Sequence, residues 1–272
     1  MHRILLTALC TLVLASTGFA EVNTAHPLGF PTAIGSVAEK ITLTYNLIFW
    51  ICLVIFAFVQ ILILYAVYKF RRSKNPTPAT FSHNNLIEVI WTAVPVLICA
   101  VIAWASFDAM KHIRTMPEAG ETVEVIAYQF GWEFDYPDYG ISSEEATQAH
   151  KQLSSAGVDR YVKDIIVPVD TDIVLHITAR DVIHAFYAPD LGLKIDAVPG
   201  RINYAWFNAP KEGDYIGQCA ELCGSAHGEM FFNVKVVSKA EYRAWVNKMR
   251  SENGEAPVDF DTMPSPTMAS AQ

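Results

Sequence analysis

Cys219, Cys223, His227 and Met230 lie within the twelve-residue stretch CAELCGSAHGEM. Two thiols, an imidazole and a thioether form a soft and borderline ligand set of the kind that suits copper. An electron carrier must change oxidation state without rearranging its ligands, and thiolate and imidazole serve both Cu(I) and Cu(II). A weak axial thioether tunes the potential without imposing a geometry. A mononuclear blue-copper site needs only one cysteine, so the second is surplus to it, whereas two thiolates can bridge two ions. Each ion then requires its own imidazole. His227 supplies one, and His184, in the segment RDVIHAFYAP, is the best candidate for the other. Two readings compete at this point: a disulfide between the two cysteines outside the cytoplasm, and a Cys2His2 zinc site. Neither gives Met230 a role.

The elements that must position this stretch read as a membrane anchor and a β domain. Residues 1–20 have a weakly basic start, an apolar stretch from Ile4 to Ala15 and small residues Gly18 and Ala20, the pattern of a secretory signal peptide. Apolar runs over about 47–68 and 86–107 each match the roughly 20 residues that a helix needs to cross the hydrocarbon core. Pro95 in the second is tolerable where neighbouring groups satisfy the freed carbonyl. Arg71, Arg72 and Lys74 follow the first run directly, which keeps the connecting loop in the cytoplasm and puts both the N-terminus and the C-terminal domain outside. Cys52 and Cys99, inside the apolar runs, read as small buried hydrophobes.

Charge divides along the same line. Residues 1–116 carry 4 acidic and 8 basic side chains and the remainder 24 and 12, within a net charge of −8. The external part is therefore strongly acidic: it attracts a basic soluble partner, and no nucleic-acid partner is expected.

After residue 120 the sequence becomes a series of short β-type runs broken by Gly, Pro and Asp, among them ETVEVIAYQFGWEFDY, TDIVLHITA and MFFNVKVV. Strands in series without intervening helices imply an antiparallel sandwich over 116–250. The stretch 137–159 reads as an inserted surface loop, SKAEYRAWVNKMR as a closing helix capped by Ser238 with Glu241, and 251–272 as a disordered tail. CAELCGSAHGEM then falls between two strands, where a rigid scaffold holds both of its ends.

The signal-bearing helix hairpin, the run DVIHAFYAPDLGLKIDAVPGRIN and the run YIGQCAELCGSAHGEM together resemble the subunit II family of haem-copper cytochrome c oxidases, in bacterial form, over roughly residues 40–245. The resemblance implies a two-helix transmembrane hairpin (21–115 with its N-terminal segment) and a C-terminal all-β cupredoxin-like sandwich, set in the bacterial inner membrane with the N-terminus and the sandwich in the periplasm. It implies a binuclear copper centre, CuA, which accepts electrons from cytochrome c and passes them to haem in subunit I for oxygen reduction coupled to proton pumping. The matching ligands are His184, Cys219, Cys223, His227, Met230 and the backbone carbonyl of Glu221, whose side chain matches a magnesium ligand shared with subunit I. Subunit I, subunit III, cytochrome c and membrane lipid are the implied partners, and haem and oxygen chemistry lie outside this chain. A copper storage module and a copper-free quinol oxidase subunit are the alternative functions. Five side-chain ligands in a strand-framed loop argue against the first, and their presence at all argues against the second.

Further residues follow from the same resemblance. Where the family reads Gln-Trp-aromatic-Trp at its electron-accepting surface, this chain reads QFGW, so the role falls to Phe130 or Trp132. Residues Tyr128, Phe130, Trp132, Phe134 and Tyr136 share one parity and equally suit the inward face of a single strand. Glu88, in EVIWT, matches the mouth of a proton path into subunit I, and its spacing from Asn85 also suits a helix cap. Asp135 and Asp181 match acids that dock cytochrome c, with Glu133 and Asp138 as neighbours of the same sign.

Overall fold

The computed structural model describes residues 31–77, 79–118, 120–142, 150–153 and 159–261. The expected signal peptide lies outside the described residues, as do much of the expected loop and residues 262–272.

Two long helices come first among the described residues, α1 (Gly35–Lys69) and α2 (Asn85–Arg114). At 1.5 Å per residue they are about 50 and 45 Å long, more than the ~30 Å hydrocarbon core requires. Both exceed the apolar runs because polar flanks continue the helical hydrogen bonding. Asn84 caps α2, its side chain accepting from the N–H groups of Leu86 and Ile87, and Lys111, His112 and Arg114 complete its last turn. Both helices are apolar enough to cross a membrane, and within their most apolar stretches this chain buries nothing. Cys52 and Cys99, expected as buried, are exposed on those surfaces, so lipid or a partner must cover them. An ion pair between Lys40 and Asp108 at 2.7 Å joins the helices near their outer ends.

Among the described residues the β domain holds ten strands: β1 (Glu121–Tyr128), β2 (Gly131–Asp135), β3 (His150–Leu153), β4 (Asp159–Pro168), β5 (Asp172–Ala179), β6 (His184–Ala188), β7 (Leu193–Ala197), β8 (Asn203–Asn208), β9 (Gly213–Cys219) and β10 (Phe231–Val237). Helix α3 (Lys239–Glu252) closes it, Ser238 accepting from the N–H of Glu241 as its cap. One sheet runs β2-β1-β5-β8 and the other β3-β4-β10-β9-β6-β7. The sandwich is not wholly antiparallel, because β1 pairs parallel with β5 and β4 with β10. In both cases the chain passes through other strands before returning to the same sheet, and strands that meet after such a crossing can run in the same sense.

Alternation along the strands builds the core. Val123, Val125, Phe134, Ile165, Ile177, Phe186, Phe207, Phe232 and Val234 are fully buried between the sheets. Phe186 and Phe232 stack at 4.2 Å, and Trp132 meets both edge-on. Such pairs add about 0.5–1.5 kcal/mol each beyond the apolar area they bury.

Two further expectations are corrected. ETVEVIAYQFGWEFDY is not one strand: the chain reverses at Gln129–Phe130, with Tyr128 opposite Gly131 and Glu124 opposite Asp135. The inward set is accordingly Val123, Val125 and Ala127 on β1, with Trp132 and Phe134 on β2. Nor are residues 253–261 loose. Val258 and Phe260 pack against the core, Phe260 lies 5.8 Å from the Tyr139 ring, and Arg250 pairs with Glu255.

Candidate metal centre

Cys219 ends β9 and Met230 immediately precedes β10, so the loop between two hydrogen-bonded strands carries the thiols, His227 and the thioether. The loop is closed at its base by the Cys219 N–H donating to the Met230 carbonyl at 2.9 Å. His184 opens the adjacent strand β6, which pairs with β9 through Phe186 and Cys219. Register alone therefore brings a residue 35 positions upstream of Cys219 to the loop.

Cys219, Cys223 and Met230 are buried, and His184 is fully so. The two sulfurs are 4.0 Å apart, about twice the length of a disulfide bond. Each has its own imidazole: His184 Nδ1 is 3.9 Å from Cys219 Sγ, and His227 Nδ1 is 3.5 Å from Cys223 Sγ. Met230 Sδ stands 3.3 Å from Cys223 Sγ, and the Glu221 carbonyl accepts from Cys219 Sγ at 3.3 Å. His184, Cys219 and Cys223 form a metal-capable group whose ligand atoms all lie within 4.8 Å of one another. Burial, reinforced by the neighbouring Cys219, pushes the Cys223 thiol up to about 11. A cation that binds here must therefore displace the proton from the Cys223 thiol.

Beneath the loop, the β1–β2 hairpin acts as a template. Trp132 Nε1 donates to the Met230 carbonyl at 3.4 Å, and Gln129 Nε2 donates to the Cys223 carbonyl at 2.5 Å. Gly224 has φ +140, a left-handed backbone that favours glycine, and a Cβ there would meet the Phe130 ring at 2.9 Å and Gln129 Nε2 at 3.0 Å. Asp181 accepts from His184 Nε2 at 2.9 Å and from the main-chain N–H groups of Gln129 and Val182, both at 2.7 Å. Burial works against ionisation of Asp181, but the hydrogen bonds from His184, Val182 and Gln129 outweigh it and hold its carboxyl below the usual range. Gln129 and Gly224 were not singled out from the sequence. Their signal is a contact across 94 residues, which no local spacing reveals.

A description of the cytochrome c oxidase subunit II periplasmic domain matches residues 121–237, and that of the subunit II transmembrane domain matches residues 23–109. A probable cytochrome c oxidase subunit 2 from Rickettsia bellii is 38% identical over 261 residues, covering 92% of this chain and 95% of that protein. The chain belongs to the cytochrome c oxidase subunit II family. Cytochrome c oxidase subunit 2 of Cereibacter sphaeroides is likewise 38% identical, over 242 residues that cover 82% of this chain and 80% of that one. The solved periplasmic domain of oxidase subunit II from Bradyrhizobium japonicum is 34% identical, covering 51% of this chain and 99% of its own, with a TM-score of 0.44.

As a subunit II chain, and so a component of an oxidase complex, the protein carries its other expected residues in unequal positions. Phe130 is at the exposed hairpin tip, 39% accessible, whereas Trp132 is 1% accessible and its ring is 6.4 Å from that of His184. Trp132 therefore cannot present itself to a soluble donor. Glu133 is corrected as a docking acid, because it is buried and both of its oxygens accept from the Arg180 guanidinium, which neutralises its charge. Asp138 follows the far end of β2, beside Tyr139, whose hydroxyl donates to Glu121 at the start of β1. That is the end of the hairpin remote from Gln129, and the fold does not bring Asp138 to the metal loop. Asp135 is on β2 opposite Glu124, between these extremes. The Glu221 side chain is exposed on the loop. Glu88 faces a shallow groove with Asn85, Thr92 and Val96 and accepts from the Asn84 N–H at 3.3 Å; the cap is thus Asn84 rather than Asn85.

Proposed function

We propose that this chain is the electron-accepting subunit of a proton-pumping cytochrome c oxidase, taking electrons from cytochrome c and passing them to haem in subunit I. The observation that carries the reading is the pairing of each thiol with a separate imidazole Nδ1, at 3.9 and 3.5 Å, across sulfurs 4.0 Å apart. A single tetrahedral zinc would draw four ligands around one centre, with metal to ligand distances near 2.0–2.3 Å. His227, on the outer side of Cys223, is not in the mutually close group formed by His184, Cys219 and Cys223. Two half-sites sharing two sulfurs suit a binuclear copper centre better.

Cys219, Cys223, His184, His227 and Met230, with the Glu221 carbonyl, would hold such a centre. The group supplies one-electron transfer with little ligand rearrangement. The chain's own residues hold it rigidly: strands β9 and β10 clamp the loop, and the Trp132, Phe186 and Phe232 cluster excludes water beneath it. Phe130 offers the exposed aromatic surface at which a donor meets the site, and Asp135 and Asp181 belong to the acidic field that steers a basic cytochrome toward it. The exposed Glu221 carboxylate would share a magnesium ion with subunit I, and Glu88 would serve the mouth of a proton path in that subunit. The signal peptide, the bacterial inner membrane and the periplasmic placing of the β domain complete the proposal, with subunit III as a further partner.

The test is to purify the full chain in detergent, load it with copper, and measure metal content with electron paramagnetic resonance. Two coppers per chain with a mixed-valence signal is the expected result. One copper, a preference for zinc, or a disulfide between Cys219 and Cys223 under loading conditions would overturn it.

A further inference from the structure

The segment that precedes His184 is tied to the β1–β2 hairpin more tightly than a surface loop requires. Arg180 donates its main-chain N–H to the Ala127 carbonyl at 3.0 Å and its guanidinium to both oxygens of buried Glu133. One residue on, the Asp181 carboxylate is fixed from two sides by backbone: Oδ2 accepts from the Gln129 N–H, and Oδ1 from the Val182 N–H, both at 2.7 Å. Only then does Oδ1 receive its third partner, His184 Nε2, at 2.9 Å. His184 has no exposure at all, so water cannot compete for that nitrogen.

An imidazole that donates from Nε2 to a fixed carboxylate carries its proton there, and its Nδ1 is left as a lone pair. That Nδ1 is the atom 3.9 Å from Cys219 Sγ. Carboxylate acceptors behind a ligating histidine fix its tautomer and ring angle and raise its donor strength. The same hairpin turn that holds Asp181 through the Gln129 main chain also holds the other half of the loop, through Gln129 Nε2 on the Cys223 carbonyl at 2.5 Å.

We propose that Asp181 is a positioning residue of the metal centre: anchored by the Gln129–Phe130 turn, it selects Nδ1 of His184 as the copper ligand and strengthens it as a donor. This role is distinct from docking and rests on the copper reading given above. Asp181 acts through His184 and touches no metal itself. Because a stronger donor favours the oxidised state, weakening the acceptor shifts the centre toward the reduced state.

The experiment uses the full copper-loaded chain in detergent, unaltered and as Asp181→Asn and Asp181→Ala. Asn keeps the size of the side chain and an acceptor oxygen without the charge, so it separates loss of donor strength from loss of fold. In the unaltered chain, a hyperfine-shifted imidazole N–H resonance that exchanges slowly with solvent is expected for His184. In Asp181→Asn the ratio of reduced to oxidised centre at a fixed applied potential rises by up to about tenfold, equivalent to about 59 mV for one electron, and that resonance exchanges faster. In Asp181→Ala the resonance is lost and copper affinity falls about tenfold or more. If both variants keep the resonance and the ratio of the unaltered chain and change only the affinity for cytochrome c, Asp181 is a docking acid alone and the proposal is overturned. An unaltered chain that fails to hold two coppers would instead overturn the reading of the site, a result visible before either variant is made.

Discussion

Met230 is 2% exposed, its sulfur 3.3 Å from that of Cys223 and its carbonyl accepting from both Cys219 N–H and Trp132 Nε1. The main-chain contacts belong to the loop, whereas on the proposed function the thioether would belong to the metal, so the two contributions are separable by substitution. Met230→Leu conserves volume and costs less than about 1.5 kcal/mol of fold stability. The expected outcome is full copper content with a changed reduction potential, measured by spectroelectrochemistry; loss of copper would show that the thioether is a principal ligand instead of a tuning one. At this scale the ligands were legible because they are concentrated: four of the five side chains fall in twelve residues, and the fifth, His184, stands in a strand-forming run. Gln129 and Arg180 were not: they open the runs QFGW and RDVIHAFYAP, but nothing in either run marks them as supports of the site. Their importance comes from strands that bring residue 129 to residue 223 and residue 180 to residue 133. Asp181 was legible as an acid, but only its three hydrogen bonds reveal what it holds.

The ligand loop depends on how closely β9 and β10 approach. Gly217 on β9 is opposite Phe232 on β10, and the aromatic ring occupies the space that a side chain at 217 would need. Glycine is required there by packing, not by backbone conformation, since the ring that displaces its side chain is the one stacked on Phe186 beneath the site. Gly217→Ala is expected to destabilise the domain by about 1–3 kcal/mol through overpacking, read as a lower thermal midpoint, and to disturb the copper spectrum because Cys219 is two residues on. A variant of unchanged stability would mean that Phe232 can swing aside without cost. Strand existence was well marked in the sequence by alternation, and strand ends less so. Aromatic parity from Tyr128 to Tyr136 runs straight through the Gln129–Phe130 reversal, although the inward face changes there from the odd positions of β1 (Val123, Val125, Ala127) to the even positions of β2 (Trp132, Phe134), so parity alone hid the turn. Parallel pairing of β1 with β5 was invisible for a different reason: alternation reports which face a residue takes and says nothing about the direction of its neighbour.

Across the whole molecule, the acidic domain has two unlike ends. At the end remote from the metal loop, Glu121 accepts from the Tyr139 hydroxyl at 2.7 Å and the Tyr242 hydroxyl at 3.2 Å, which binds β1 to the closing helix α3. Burial, against those two hydrogen bonds, raises its carboxyl above the ordinary range. A raised carboxyl means that the folded chain holds this proton more tightly than the unfolded chain does. Its stabilising share is therefore present below the ordinary carboxylate range and is lost as pH rises through the raised value. Glu121→Gln should remove that loss, so that the difference in thermal midpoint between mildly acid and neutral solution shrinks; an undiminished difference would assign the pH dependence to other groups.

The seam between helices and sandwich has a consequence of its own. Ile34 N–H donates to the Asp190 carbonyl at 2.8 Å, Trp206 Nε1 donates to the Ile113 carbonyl at 3.0 Å, and His112 bonds Ser36 at 3.1 Å while its ring meets that of Trp206. Four segments of chain, around residues 34–36, 112–113, 190 and 206, are thus riveted at the junction of helices and sandwich, and Val37 and Ala38 of α1 are buried there. Electron tunnelling falls steeply with distance, so a donor site swinging on a slack tether would deliver current in bursts. On the proposed function, a sandwich riveted in this way would serve as a fixed standoff: a bilayer holding the two helices would also set the gap across which electrons jump.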